Sequence, residues 1–188
     1  MGLPSGAVPA GCSVGNPISS LAAEEGLRTL ATGLPAVVID GAADLDARSD
    51  LLYGAYLAGS AFAVAGSGLH HKICHVLGGA YDLPHAETHA IVLPHVLAFN
   101  APGATSAAAR IGRALGVADP VAGLQSLSKR VGIPTGLRDI GLRNDQLDEA
   151  VALIEPAVPA DNPVPVTTVA LRSLLEAAWS GEAAEEKP

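Results

Sequence analysis

The chain has 188 residues, of which 49% are hydrophobic and only 3% aromatic, so a single domain with a core of Ala, Leu and Val is expected. Its 19 acidic and 11 basic residues give a net charge of −8. No basic stripe is available to neutralise phosphates, which argues against a nucleic-acid partner. Two cysteines, Cys12 and Cys74, are too few for a disulfide framework. A cytoplasmic location is expected, with Cys74 as a small buried apolar residue.

The first predicted helix runs from about Ile18 to Gly33. Ser19 or Ser20 is the expected N-cap, and Gly33-Leu34-Pro35 is the expected stop. The following Ala36–Ile39 is β-like but too short to found a sheet. Because this is the only such stretch, the chain is predicted to be all-α.

Asp44 is expected to cap the second helix, which contains a stretch without charges from Leu51 to Leu69. This stretch is near the length that spans a bilayer. It has no stop-transfer flank and is rich in Gly, Ala and Ser, so a buried central helix is favoured over a membrane span. The helix is predicted to break near Gly66-Ser67-Gly68. That Gly-x-Gly has no preceding strand, so it does not indicate a dinucleotide fold.

A short helix carrying His71 and His75 is predicted next, ending at Gly78-Gly79. Pro84 suits the first turn of a further helix that reaches about Asn100. Pro94 is expected to bend or divide that helix.

Further helices are predicted near Thr105–Leu115, Pro120–Val131, Asn144–Glu155 and Thr167–Trp179. Residues 18–181 then form one helical, bundle-like domain. Residues 1–17 are predicted to be a loose arm with no signal peptide, and residues 182–188 a disordered acidic tail.

All six histidines lie between His70 and His95. His71 and His75 are four residues apart, as are His85 and His89, so each pair shares a helix face. The turn between the two helices lets the pairs approach each other. Imidazole suits Zn, Fe, Cu or Ni, so a metal site at the two helix ends is one hypothesis.

Simpler roles compete with this hypothesis. A hydrogen-bonded core or helix-end position is favoured for His70, His89 and His95 taken singly. The His85-Ala86-Glu87 sequence matches the start of a zinc deaminase motif, but no cysteine follows Cys74 to complete it.

The stretch GLHHKICHVLGGAYDLPHAETHAIVLPHVLAFNAP resembles the signature of iron-containing (group III) alcohol dehydrogenases, and within that family the maleylacetate reductase branch. NPISSLAAEEGLRTLATGLP before it and NPVPVTTVALRSLLEAAWSG after it resemble the same family. The resemblance covers about Asn16 to Gly181.

The resemblance implies a nucleotide-binding α/β domain followed by a helical domain, with the active site between them. It implies that His71 and His85 are metal ligands, for Fe or Zn, and that His75 helps to transfer the proton accompanying hydride transfer from NAD(P)H. The implied substrate is a small dicarboxylic oxo-acid such as maleylacetate. His70 and His89 are implied substrate contacts; alternatively, His71 and His85 bind the substrate carboxylates.

The family's remaining two metal ligands, an Asp and a third His, lie upstream of Asn16. This chain has no histidine before His70 and lacks the cofactor domain. A truncated or split oxidoreductase is therefore expected, with an α/β domain or subunit as partner, exposed apolar cleft surface and self-association, for example as a homodimer. The first alternative is a self-contained metal-binding helical protein without redox activity, built on His71, His75 and His85, with His89 or Cys74 as a further ligand. The second is a structural remnant with no ligand.

Overall fold

A computed structural model describes residues 16–39, 41 and 43–182, and all of their regular structure is helical. The predicted arm up to residue 15, the tail from residue 183 and Cys12 lie outside the described residues. The α-helices are α1 Pro17–Ile39, α2 Leu45–Ala65, α3 Leu69–Tyr81, α4 His85–Asn100, α5 Thr105–Leu115, α6 Pro120–Arg130, α7 Leu147–Ile154 and α8 Thr168–Ser180. Four short 3-10 helices are Ala101–Gly103, Leu137–Ile140, Asn144–Gln146 and Glu155–Ala157. The predicted all-α class is confirmed.

The first helix is capped by Asn16 and not by a serine. The Ser19 amide donates to Oδ1 of Asn16, and the Asn16 amide donates to Oγ of Ser19, both at 2.9 Å. Ser19 therefore occupies the third helical position of a reciprocal cap. The sequence prediction placed the cap three or four residues too late.

The predicted stop at Gly33-Leu34-Pro35 is wrong, because α1 continues to Ile39 with Pro35 inside it. Gly33 serves close packing instead. A Cβ at this position would lie 3.1 Å from the Ala47 carbonyl oxygen and 3.0 Å from Leu51 Cδ2 of the next helix. The β-like Ala36–Ile39 is consequently the last turn of a helix.

Helices α1 and α2 form a hairpin that packs through small residues. Gly26 and Gly54 face each other, and a Cβ on either would lie 3.0 Å from the other's carbonyl oxygen. Asp44 caps α2 as predicted, by accepting from the amides of Asp46 and Ala47.

The prediction of α2 as a buried central helix is wrong. Only Ala47, Gly54 and Ala61 are buried, whereas Leu52 and Tyr56 are 74% and 72% exposed. The helix packs chiefly against α1, so most of its remaining surface is not covered by the described residues. No single helix among the described residues is long and apolar enough to cross a membrane. The α2–α3 pair passes that test together, but it is bent by 99°.

The hairpin is joined to the rest of the described chain at α5 and α6. Glu24 accepts hydrogen bonds from Arg110 at 2.9 Å and from Arg113 at 2.9 and 3.1 Å. These two arginines hold the pKa of the Glu24 carboxyl below its usual range.

The hydrophobic core lies in the other part of the molecule, where α3, α4, α7 and α8 meet. Its largest fully buried side chains are Leu69, Ile73, Leu77, Leu137, Leu142, Leu147, Ile154, Leu171 and Leu175. Trp179 packs against this cluster and donates from Nε1 to the Leu142 carbonyl at 2.8 Å. The predicted core of aliphatic residues is confirmed.

The ends of α3 and α4 bring the histidines together. Helix α3 ends at Tyr81, beyond the predicted Gly78-Gly79, and Asp82 takes the left-handed conformation that caps it at φ 53°. Pro84 is the cap residue of α4, which begins at His85 and continues through Pro94 to Asn100. Of the two outcomes predicted for Pro94, a bend or a division of the helix, the division is therefore wrong.

Candidate functional site

Five imidazole rings meet where α3 packs on α4. His89 is central, with ring centroids 4.3 Å from His85, 4.9 Å from His70, 5.0 Å from His71 and 6.4 Å from His75. The i, i+4 spacing on each helix places these rings on facing surfaces, as predicted. The two predicted pairs therefore form one cluster.

The cluster has a half-buried and an exposed part. His70, His71 and His89 are half-buried, and we call them the inner histidines. His75 and His85 are exposed, with ring centroids 6.3 Å apart, and we call them the outer histidines. Only the outer histidines are widely open to molecules arriving from solvent.

The tautomer of His70 follows from its hydrogen bond. Its Nε2 lies 2.9 Å from the His89 carbonyl oxygen. A carbonyl oxygen can only accept, so Nε2 carries the proton and Nδ1 keeps a free lone pair. Burial lowers the pKa of His70, which favours this neutral form.

His89 contains an unpartnered buried atom. Its Nε2 has no hydrogen-bond partner among the described residues, although nearly all buried polar atoms in proteins have one. Burial, followed by the neighbouring histidines, lowers the pKa of His89 to about 4. The ring is therefore expected to be neutral at pH 7. Its Nε2 is left without a donor or acceptor in the described chain.

His71 lies against the end of α2. Its ring stacks on Phe62, with centroids 4.5 Å apart and planes 26° from parallel. Burial is the main cause of a lowered pKa at His71, with smaller contributions from His75 and His85. Sequence reasoning missed Phe62, because its place in an apolar run before a helix break gives no sign of the contact.

Two further residues of α3 and α4, Cys74 and His95, are buried. His95 is 6% exposed, and burial lowers its pKa to about 4. Cys74 is buried as predicted, its Sγ lies 3.9 Å from the Thr88 carbonyl oxygen, and burial raises the pKa of its thiol to about 12. A thiol held protonated in this way is a poor metal ligand.

The donor set of the cluster fits a transition-metal ion. One ring nitrogen from each of His70, His71 and His89 lies within 4.8 Å of the other two. The family resemblance suggests His71 and His85 as the ligand pair. The His75 ring is a neighbour of both, with its centroid 6.2 Å from that of His71 and 6.3 Å from that of His85.

Comparison with protein families gives a match over nearly the whole chain. Residues 12–179 match the model described as Fe-containing alcohol dehydrogenase family, C-terminal. The chain is 46% identical over 167 residues to maleylacetate reductases of Burkholderia cepacia and Sphingobium indicum. These matches cover 89% of this chain but 47% of each relative, so the chain spans about half the length of the relatives it matches.

Solved structures agree with this match. An iron-containing alcohol dehydrogenase from Corynebacterium glutamicum is 49% identical, with a TM-score of 0.87, covering 92% of this chain and 48% of that one. The maleylacetate reductase from Agrobacterium tumefaciens is 41% identical, with a TM-score of 0.84, covering 89% and 47%. The helical arrangement described above is therefore shared with these proteins.

Proposed function

Because the chain belongs to the Fe-containing alcohol dehydrogenase family, whose carboxyl-terminal helical domain it contains, we propose that it forms the substrate-binding and metal-binding side of an NAD(P)H-dependent reductase. A nucleotide-binding α/β part, in the same polypeptide or a separate subunit, would supply the cofactor side. The observation that carries this proposal is the cluster of five imidazoles on one surface of a domain 46% identical to maleylacetate reductases.

Of the outer histidines, His75 is proposed to act on the substrate. His75 is exposed and lies beside both His71 and His85, so it can deliver a proton to a substrate oxygen as hydride arrives from the cofactor. His71 and His85 are proposed to hold an iron or zinc ion together with ligands from the α/β part. When bound, such an ion polarises the substrate carbonyl.

The proposed substrate is a small dicarboxylic oxo-acid of the maleylacetate type. His70 and His89, which are half-buried members of the cluster, remain predicted substrate contacts. The lowered pKa values of His71 and His89 favour neutral rings at pH 7. Neutral rings suit metal binding better than binding of a carboxylate, which prefers an imidazolium ion. Family membership disfavours the alternative of a histidine-rich protein without redox ancestry.

Reconstitution tests the proposal. The 188-residue chain is mixed with the separately produced α/β part of a maleylacetate reductase, and oxidation of NADH or NADPH is followed with maleylacetate present. We expect activity in the mixture and a drop of roughly 100-fold or more with His75→Gln, because general acid–base catalysis typically contributes this much.

The matched control is Arg143→Gln, since this exposed arginine pairs only locally, with Asp145. It should leave the rate unchanged. Absence of activity in every mixture, with both parts folded, would overturn the proposal, as would full activity of the His75→Gln variant.

A further inference from the structure

The inner histidines have the arrangement of a metal site that this chain could complete alone. A tetrahedral ion with metal–nitrogen bonds of about 2.0–2.1 Å requires ligand atoms roughly 3.4 Å apart. The nitrogens of His70, His71 and His89 already lie within 4.8 Å of one another. The three residues lie on two helices that pack directly together, so we expect small side-chain movements to close that gap when an ion binds.

Each inner ring can offer a lone pair. The hydrogen bond from His70 Nε2 to the His89 carbonyl leaves Nδ1 of His70 unprotonated and orients the ring. A backbone carbonyl that holds one nitrogen of a histidine while the other binds a metal is the usual arrangement at metal sites. His71 is held from one side by its stacking contact with Phe62.

The unpartnered atom of His89 points to a ligand. Its Nε2 is buried and accepts or donates no hydrogen bond within the described part of the chain, which costs free energy unless something else binds it. A cation that binds a neutral nitrogen would satisfy this atom.

We propose that His70, His71 and His89 form a three-histidine binding site for a divalent ion such as Zn²⁺, complete within this chain. Three imidazoles without a carboxylate favour Zn, Co, Ni or Cu over Mg or Ca. A fourth coordination position stays open for water or another small ligand. The set shares His71 with the pair of the proposed reductase and also uses His70 and His89, which the reductase proposal assigns to substrate contact. The ion therefore binds either to this set or to the reductase pair, and this set is the one available in the chain alone. The site requires no cofactor domain and does not depend on the reductase proposal.

Calorimetric titration of the full 188-residue chain with Zn²⁺ tests the site, because the two ligand sets predict different variants. We expect one equivalent to bind to the wild-type chain. His70→Gln, His71→Gln and His89→Gln should each lower the affinity roughly tenfold or more. The matched control is Arg143→Gln, an exposed position that pairs locally with Asp145 and should leave Zn²⁺ affinity unchanged. His85→Gln separates the two ligand sets, because the reductase pair needs this outer histidine and the inner site does not.

Three results would overturn the proposal: no binding to the wild-type chain, a loss with His85→Gln as large as with His89→Gln, or full affinity without His70. Melting followed by circular dichroism shows whether each variant is folded. If a variant fails to fold, Zn²⁺-induced shifts of imidazole nitrogen resonances in the wild-type chain decide instead. These shifts must include His70 and His89 and leave His85 unaffected. Neither experiment uses NAD(P)H, so this site can fail while the reductase proposal stands, and the reverse.

Discussion

The α1–α2 hairpin and the α3–α8 region are both apolar in sequence, yet they hold together by different means. The hairpin packs through small residues at Gly26 and Gly54 and leaves large side chains such as Leu52 exposed. The α3–α8 region encloses a cluster of leucines and isoleucines with almost no exposed area. Apolar composition alone does not determine burial, because burial requires neighbours on several sides, and α2 has one main neighbour among the described residues.

The same contrast locates the chemistry. The histidine cluster lies on α3 and α4, which are anchored in the leucine-rich core, so the helices that carry its rings are held in place by core packing. The hairpin touches the cluster at Phe62, which stacks on His71. One region therefore positions the site, and the other offers a large apolar surface beside it.

Truncation of a core leucine should have the largest effect. Leu77→Ala removes a side chain with no exposed area, and we expect a loss of about 2–5 kcal/mol in the free energy of unfolding. Leu52→Ala, in the hairpin, should change it by less than about 0.5 kcal/mol, because Leu52 is 74% exposed. Urea unfolding measures both. A similar loss in the two variants would contradict this difference in burial.

Acid should weaken the α3–α8 region, which contains every histidine of the chain. Burial lowers the pKa of His95 from 6.5 to about 4. As the pH falls below 6.5, His95 becomes protonated in the unfolded chain but stays neutral in the folded chain. The free energy of unfolding therefore declines until about pH 4, where the folded chain is protonated too. At 1.36 kcal/mol per pKa unit, His95 accounts for about 3 kcal/mol of this decline.

The variant His95→Leu cannot take up that proton. Its free energy of unfolding should fall less steeply than that of the wild-type chain between pH 7 and pH 4, measured by urea unfolding at each pH. His89, whose pKa is also lowered to about 4, should keep part of the decline in both proteins. Identical pH dependence in the two proteins would contradict the assignment to His95.

Two glycines of α2 provide the finest comparison within the hairpin. A Cβ at Gly54 would lie 2.5 Å from Thr29 Oγ1 and 2.8 Å from Leu30 Cγ, so Gly54→Ala should destabilise the chain by about 1–3 kcal/mol. A Cβ at Gly59 would meet nothing within 4 Å, so Gly59→Ala should stabilise by up to about 1 kcal/mol through helix propensity. Thermal melting distinguishes them. Stabilisation by both variants would mean that the close α1–α2 packing is absent in solution.

Much of the helical layout could be predicted from local signals. The cap at Asp44, the break before α3 and the bounds of α5 all follow from residues adjacent in sequence. The errors have one physical cause. Gly33 and Pro35 were interpreted as a helix stop, but Gly33 is required by contact with α2, which no local pattern records. In the same way, the apolar run from Leu51 to Leu69 does not reveal that α2 has few packing partners and is largely exposed.

For the candidate site too, some features follow from local sequence and others depend on contacts between distant residues. Spacing on α3 and α4 predicted that His71, His75, His85 and His89 would converge, and they do. Spacing could not predict which rings are half-buried, the hydrogen bond from His70 to the His89 carbonyl, or the stacking of Phe62. These depend on the rotation of each helix about its axis and on contacts between distant parts of the chain.

The sequence by itself determined the all-α class, the concentration of histidines on two consecutive helices and the family, because periodicity, caps and motif spacing are local properties. Only the tertiary structure decided that the nitrogens of His70, His71 and His89 lie together while His75 and His85 face solvent. The physical reason is that ligand geometry depends on side chains brought within a few ångströms by packing, and a linear pattern does not encode those distances.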